Sequence, residues 1–197
     1  MIATTGLWIA VGVLGALLIV GMAGGFLLLA MGRLSLDLGW GRSLHQVGPI
    51  ELRIAAPREQ LFDVISEPYL HHTPKHSSIE VLSRGNDLAV AVHHTKVHFY
   101  AARTVEAVKF ERPTRVSFRH LVSPVPYAVE EFVLEEETDG VTELRYSGEI
   151  GIDFFFLGRL AGRYWVRPQW ERAVREDLED LKERTEKLAA HRRSRGE

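Results

Sequence analysis

The hydrophobic pattern changes period along the chain, and each change marks a different element. The first stretch has no period at all: Gly6–Met31, GLWIAVGVLGALLIVGMAGGFLLLAM, is 26 residues without a charge. A membrane-spanning helix needs about 20 such residues, and at ~1.5 Å per residue this run reaches about 39 Å. A cleaved signal peptide has a basic start and a shorter apolar core of about 7–15 residues, whereas MIATT offers no basic residue. The run therefore predicts a retained anchor over residues 1–32. Arg33 and Arg42 follow it and nothing basic precedes it, which places the remainder of the chain in the cytoplasm. Gly21 and Gly25 form one GxxxG, read as ordinary packing of small residues in a span. Residues 33–47, with Trp40, read as a juxtamembrane connector.

Beyond the connector the period becomes that of strands. GPIELRIAAP alternates Ile50, Leu52 and Ile54 with Glu51 and Arg53, the pattern of a half-buried strand. Pro57 then opens a helix whose apolar positions Leu61, Phe62 and Ile65 recur at helical spacing, and Pro68 is expected to stop it. After a loop with His and Pro come SSIEVLSR and LAVAVHHT around Gly85-Asn86-Asp87, then FYAARTVEAVKF, RVSFRHLV, YAVEEFVLEEE and VTELRYSGEIGI. Turn signals separate these runs, with Asp139-Gly140 the strongest. From about Phe155 the period turns helical again. Val174, Leu178, Leu181 and Leu188 form its apolar stripe, supported by the i,i+4 pairs Asp180–Arg184 and Glu183–Lys187. Pro168 is expected to kink that helix or to set off a short leading segment.

Strand, helix, about five to six antiparallel strands and a long helix make an α+β domain, residues 48–190, with a basic tail over 191–197. The apolar face of such a sheet must be covered, and the terminal helix is the element long enough to cover it. A sheet curled round that helix leaves a cavity between them, suited to an apolar ligand.

Composition narrows the possibilities. All 24 Lys+Arg and 26 Asp+Glu fall after Gly32, so the balance is near neutral and provides no basic face for nucleic acid. Cysteine is absent, which excludes disulfides, thiolate metal sites and thiol nucleophiles.

The segments IELRIAAPREQLFDVISEPYL and FERPTRVSFRHLVSPVP resemble the START-like, or SRPBCC, superfamily. Its members open with a strand, Ala-Pro, a polar residue and an aromatic-containing helix ending in Asp/Glu-Pro. They continue with a proline-marked strand–turn–strand and close with a long helix. The resemblance covers roughly residues 48–188. It implies the helix-grip fold, a curved antiparallel sheet wrapped around a C-terminal helix, here preceded by one transmembrane helix. Relatives include lipid-transfer domains, polyketide cyclases and aromatases, coenzyme Q-binding proteins, plant allergen-type carriers and chaperone co-activators. Together with the anchor read from the apolar run, the resemblance implies a membrane-anchored carrier for a hydrophobic molecule such as a lipid, isoprenoid or polyketide. A cyclase, aromatase or hydratase and a ligand-free interaction module are the alternatives. No cofactor is implied, and a protein partner is not specified.

Candidate chemistry centres on histidine, because HHTPKH (His71–His76) and HHTKVH (His93–His98) hold six of the nine. Neither has metal-ligand spacing, no HExxH occurs, and Lys96 falls between His94 and His98 on one strand face, so no metal is expected. His94 shares a face with Val90 and Val92, and His120 with Val116 and Phe118. Each is either a polar handle in the cavity or a satisfied interior histidine. His71 and His72 sit on a loop that either borders the cavity mouth or is simply solvated. Tyr127 and Tyr146 offer hydroxyls to a ligand or serve as core, and Tyr164 and Trp165 are cavity wall or core. The glutamates Glu130, Glu131 and Glu135 to Glu137 read as a solvated edge rather than paired catalytic carboxylates. The tail HRRSR touches anionic lipid or stays solvated.

Overall fold

The computed structural model describes residues 2–34, 36–71, 78–97, 100–138 and 140–195. Helix α1 (Ile2–Ala30) carries the apolar run, is long and apolar enough to cross a membrane, and is covered by no other part of the chain over Val11–Leu29. Strand β1 (Ser43–Ile54) begins five residues before the expected start, because residues 43–47 pair with the last five of β7. A bulge between Val47 and Ile50 separates the two halves of β1.

Helix α2 (Arg58–Leu70) follows Pro57 as its N-cap and buries Leu61, Phe62, Ile65 and Tyr69. It does not stop at Pro68. A proline in the last turn removes one N–H from the ladder, and the helix runs two residues past it. Strands β2 (Ile79–Arg84), β3 (Leu88–Val97), β4 (Tyr100–Glu111), β5 (Arg115–Val122), β6 (Tyr127–Thr138) and β7 (Val141–Ile152) follow as antiparallel neighbours. The order is β1-β7-β6-β5-β4-β3-β2, so β1 closes onto β7 and the sheet edges are β1 and β2. Strand β6, expected at a solvated edge, is therefore internal.

The terminal helical region has three parts: α3 (Phe155–Ala161), a π-helical turn (Gly162–Val166) and α4 (Arg167–Arg195). Pro168 lies just past the π turn, at the head of α4. Helix α4 packs against β1 and α2 and buries Leu178, Leu181, Thr185 and Ala189. Its stripe drifts from the expected one, since Leu188 is exposed and Ala189 takes the inward place. The core gathers Ile50 and Ile54 from β1, Phe62 from α2, Leu144 and Ile150 from β7, and Leu178 from α4. This seven-stranded antiparallel sheet with a long C-terminal helix is the helix-grip arrangement.

Candidate functional site

Side chains alternate across a strand, and on the inner face of this sheet the alternation selects a row of polar residues. His93 of β3, Glu106 of β4, His120 of β5, Glu130 of β6 and Tyr146 of β7 supply one group from each of five adjacent strands. Glu106 and His120 are direct cross-strand partners. Apolar neighbours two residues away hold each in phase: Ala91 beside His93, Val108 beside Glu106, Phe118 beside His120, Ala128 and Phe132 beside Glu130, and Leu144 beside Tyr146. All of these neighbours are buried except Phe132, which is partly buried against the core.

The row is connected end to end. Tyr69 of α2 is hydrogen-bonded to His93 Nε2 at 3.2 Å. His93 Nδ1 lies 3.6 Å from Glu106 Oε2, and Thr104 Oγ1 donates to the same carboxylate. His120 Nε2 stands 3.6 Å from Glu106 and 3.7 Å from Glu130. These distances make an ionic pairing rather than hydrogen bonds, and neither ring nitrogen of His120 has a hydrogen-bond partner among the described residues. Glu130 accepts the hydroxyl of Tyr146 at 3.0 Å and the indole N–H of Trp170 from α4. Gly148 makes room for this: a Cβ there would lie 2.9 Å from the Tyr146 hydroxyl.

Burial and charge act against each other along the row. Burial pushes the Glu130 carboxyl up, but His120, Trp170 and Tyr146 together outweigh it and hold the group below the usual carboxylate range. For His120 burial favours the neutral ring, yet Glu130 and Glu106 prevail and raise it above the usual imidazole range. Burial wins at His93, which is lowered despite Glu106. Burial raises both Tyr69 and Tyr146, and the nearby carboxylates raise them further, so their hydroxyls stay protonated donors. The arrangement sets the His120 ring, biased toward its charged form, between Glu106 and Glu130, beside two phenols, in a wall of Phe110, Phe118 and Phe132. It can orient the polar end of an apolar molecule, and it can hold or pass a proton.

The residues singled out from the sequence fall into three places. Phe118, His120 and Tyr146 are in or against the polar row, with Phe118 packed between Tyr69 and Phe132. His94 is exposed, on the face opposite His93, and so corrects the expected phase of β3. Tyr127 is half-buried on the outer face of β6, where it packs over Gly151 beside Arg42. His71 caps the C-terminal end of α2 and is exposed, and His72 lies outside the described residues, as does His98. Tyr164 and Trp165 are neither core nor interior wall; both are exposed on the outer side of the π turn. Sequence reasoning missed His93, Glu106, Glu130 and Trp170. The available signal was a lone polar residue in phase with buried positions two residues on either side. No group of three or more His, Asp or Glu side chains has metal-binding geometry among the described residues.

The model of one family, described as "Polyketide cyclase / dehydrase and lipid transport", matches residues 50–186. The chain belongs to this family. Among solved structures, the fold resembles the protein TTHA0849 from Thermus thermophilus at 22% identity and a TM-score of 0.60, covering 74% of this chain and 99% of that one. It also resembles the Zhui aromatase/cyclase from Streptomyces sp. R1128 at 14% identity and a TM-score of 0.53, covering 76% and 96%. A START superfamily protein from Mycobacterium smegmatis is similar at 12% identity and a TM-score of 0.49, covering 75% and 97%. At these identities the likeness is one of fold. No curated protein matches the chain significantly. The family and fold are those of proteins that bind hydrophobic ligands or act as cyclases.

Proposed function

We propose that the chain is a membrane-anchored carrier that holds a hydrophobic small molecule between the inner sheet face and α4, with the molecule's polar end at His120. The observation that supports this most is His120 itself: a buried, positively biased ring in an aromatic wall, with no hydrogen bond to the described protein. Buried polar groups in folded proteins have hydrogen-bond partners; His120 has only the longer ionic contacts to Glu106 and Glu130, and a ligand carbonyl or hydroxyl is the partner this reading supplies. Phe118 and Tyr146 then line the site. His71 and His72 are proposed at its rim, since they follow directly on Tyr69 and Leu70 at the end of α2. The anchor would keep the site next to a bilayer that supplies or receives the ligand, with the domain on the cytoplasmic side. No cofactor enters this reading.

Native mass spectrometry and organic extraction of the purified full chain test it. An apolar molecule should co-purify with the wild type, and His120→Phe should reduce its occupancy by about tenfold, the equivalent of one hydrogen bond to a charged group. Protein that yields no such molecule and takes up none from lipid or isoprenoid mixtures would overturn the carrier reading.

A second reading is favoured by the carboxylates that flank His120. An imidazolium beside a bound carbonyl, with Tyr146 and Glu130 one step away, is a general acid for a cyclase- or dehydratase-type reaction. Turnover of polyketide-like substrates that falls with His120→Phe while binding persists would select this reading over simple carriage.

A further inference from the structure

Helix α3 packs the wrong way round for a surface helix. Amphipathic helices bury their large apolar side chains and present polar ones to water. Here Gly158 and Gly162 are the buried positions. A Cβ on Gly158 would lie 1.9 Å from the carbonyl oxygen of Asp153, and one on Gly162 would meet the His45 ring at 2.1 Å. The helix axis therefore sits directly on β7 and β1, and its bulky side chains have nowhere to go but outward. Phe156 and Leu157 are 65% and 68% exposed, and Phe155, Leu160 and Tyr164 are exposed with them. A continuous apolar patch of this kind on a soluble surface marks an interaction site.

Three observations say what covers it. The patch is continuous with the route to the span: Phe154 and Phe155 donate backbone N–H groups to the carbonyls of Trp40 and Gly41, both at 2.9 Å, and Trp40 packs edge-on against Phe155 at 5.5 Å. Asp153, the residue before Phe154, accepts N–H groups from Leu38 and Gly39 and pairs with Arg42, so the connector and α3 are clamped together. Leu34, Leu36, Leu38 and Trp40 of that connector are themselves exposed. The charge is cationic. Arg159 and Arg163 interleave with the aromatics and make no ion pair among the described residues. A depression of about 390 Å³ is lined by Arg159, Phe155, Phe156 and Arg42, the last already engaged by Asp37 and Asp153. Aromatic and leucine side chains at headgroup depth with arginines beside them are the composition of a membrane interface.

We infer that α3 and the π turn form a docking face for the bilayer surface, lying in the plane of an anionic-lipid interface with Arg159 and Arg163 on headgroup phosphates. This rests on α1 as a span of the same bilayer. Docking by this face would fix the orientation of the whole domain, since α3 leads through the π turn directly into α4 and so to Trp170 of the polar row.

The chain has no cysteine, so single-cysteine spin labels report one position each. The test uses the full chain in nanodiscs of phosphatidylcholine with and without phosphatidylglycerol. Labels go at Phe156→Cys and Tyr164→Cys, with Leu18→Cys in α1 and Glu179→Cys on the exposed side of α4 as references. Accessibility to oxygen and to a water-soluble nickel chelate is then compared. The docking face predicts oxygen-accessible, nickel-shielded labels at positions 156 and 164 and an aqueous label at 179. The Arg159→Gln, Arg163→Gln double variant should lower the docked-to-undocked ratio about thirtyfold in phosphatidylglycerol, from ~1 kcal/mol per arginine. A lipid-embedded Leu18 label with aqueous labels at 156 and 164 overturns the docking face and leaves the anchor standing. An aqueous Leu18 label overturns the anchor, and docking is then supported only if 156 and 164 still sit in lipid. Labels at 156 shielded from both reagents, with dipolar broadening between chains, identify a second copy on this face and overturn the bilayer assignment.

Discussion

The inner sheet face holds two carboxylates and two imidazoles inside the protein, while α3 holds a row of aromatic and leucine side chains on its outside. Each region departs from the ordinary partition of side chains, in opposite directions, and each is maintained by a local device. Inside, the charges are tolerated because they are arranged as alternating partners along a row: Tyr69, His93, Glu106, His120, Glu130 and Tyr146 with Trp170. Outside, the apolar surface is enforced because Gly158 and Gly162 leave no depth beneath the helix. Neither arrangement is what stability alone would select. Buried ion pairs are often matched by apolar replacements, and exposed aromatics add little to a folded monomer. The comparison teaches that functional pressure in this chain shows up as misplaced polarity, and it can be broken from either side.

The largest effect should come from leaving the inner row half-satisfied. Glu130→Ala leaves the His120 ring, the Tyr146 hydroxyl and the Trp170 N–H without their shared partner in a buried site, and should cost about 3–5 kcal/mol in urea unfolding. Replacing the charged centre as a unit, with Glu106→Gln, His120→Phe and Glu130→Met together, should bring the loss to within about 2 kcal/mol of wild type while abolishing ligand retention. Equal losses for the single and triple variants would mean that the row is there for the fold, and the contrast with α3 would collapse.

Next in size is the support beneath α3. Gly158→Val drives a side chain into the Asp153 carbonyl, so the helix must lift from β7; a loss of about 3 kcal/mol is expected from overpacking of this kind. A thermal midpoint unchanged from wild type would show that α3 is not held where its glycines place it.

A pH series sharpens the inner side further. The folded-state pKa of His120 is raised, so its contribution is complete below its unfolded value near 6.5 and is lost as pH rises through the folded value. Glu130 is lowered, so its contribution is complete above its unfolded value near 4.5 and is lost as pH falls through the folded value. His93, lowered by burial, costs stability as pH falls below about 6.5. Wild type minus His120→Phe in unfolding free energy should therefore shrink as the pH is raised from weakly acid to alkaline. A difference that grows with pH would place a neutral ring at position 120.

Much of this architecture could be read from the sequence, and the places where reading stopped have physical causes. The seven strands and both domain helices follow from periodicity and turn residues, and the family from the Ala-Pro helix opening. The pattern of β3 points to the wrong inward face because Val90 and Val92 are bulkier than Ala89 and Ala91. The alanines are the inward set, buried in the core, and in phase with them His93 turns inward to Tyr69 of α2 while His94 is exposed. Glu130 read as solvated because EEFVLEEE looks like one acidic edge. Its partners come from β5, β7 and α4, pairings that only the folded sheet brings together. Position 164 was assigned to wall or core because a helix start rich in aromatics normally packs inward; the two glycines that reverse it carry no hydrophobic signal.

The smallest effect on stability should come from α3's outer side, and it is the most discriminating. Phe156 and Leu157 touch little of the protein, so Phe156→Ser with Leu157→Ser should change unfolding free energy by no more than about 0.5 kcal/mol. Glu130→Ala, by contrast, disturbs several neighbours at once. If the outer apolar row were core that had been displaced, polar replacement would destabilise the fold and increase protease sensitivity at α3. If it exists for a surface beyond the protein, the doubly substituted chain should unfold as wild type does and lose shielding of α3 in the bilayer. Urea unfolding and limited proteolysis on the same preparation separate the two, because only a structural role moves both readouts together.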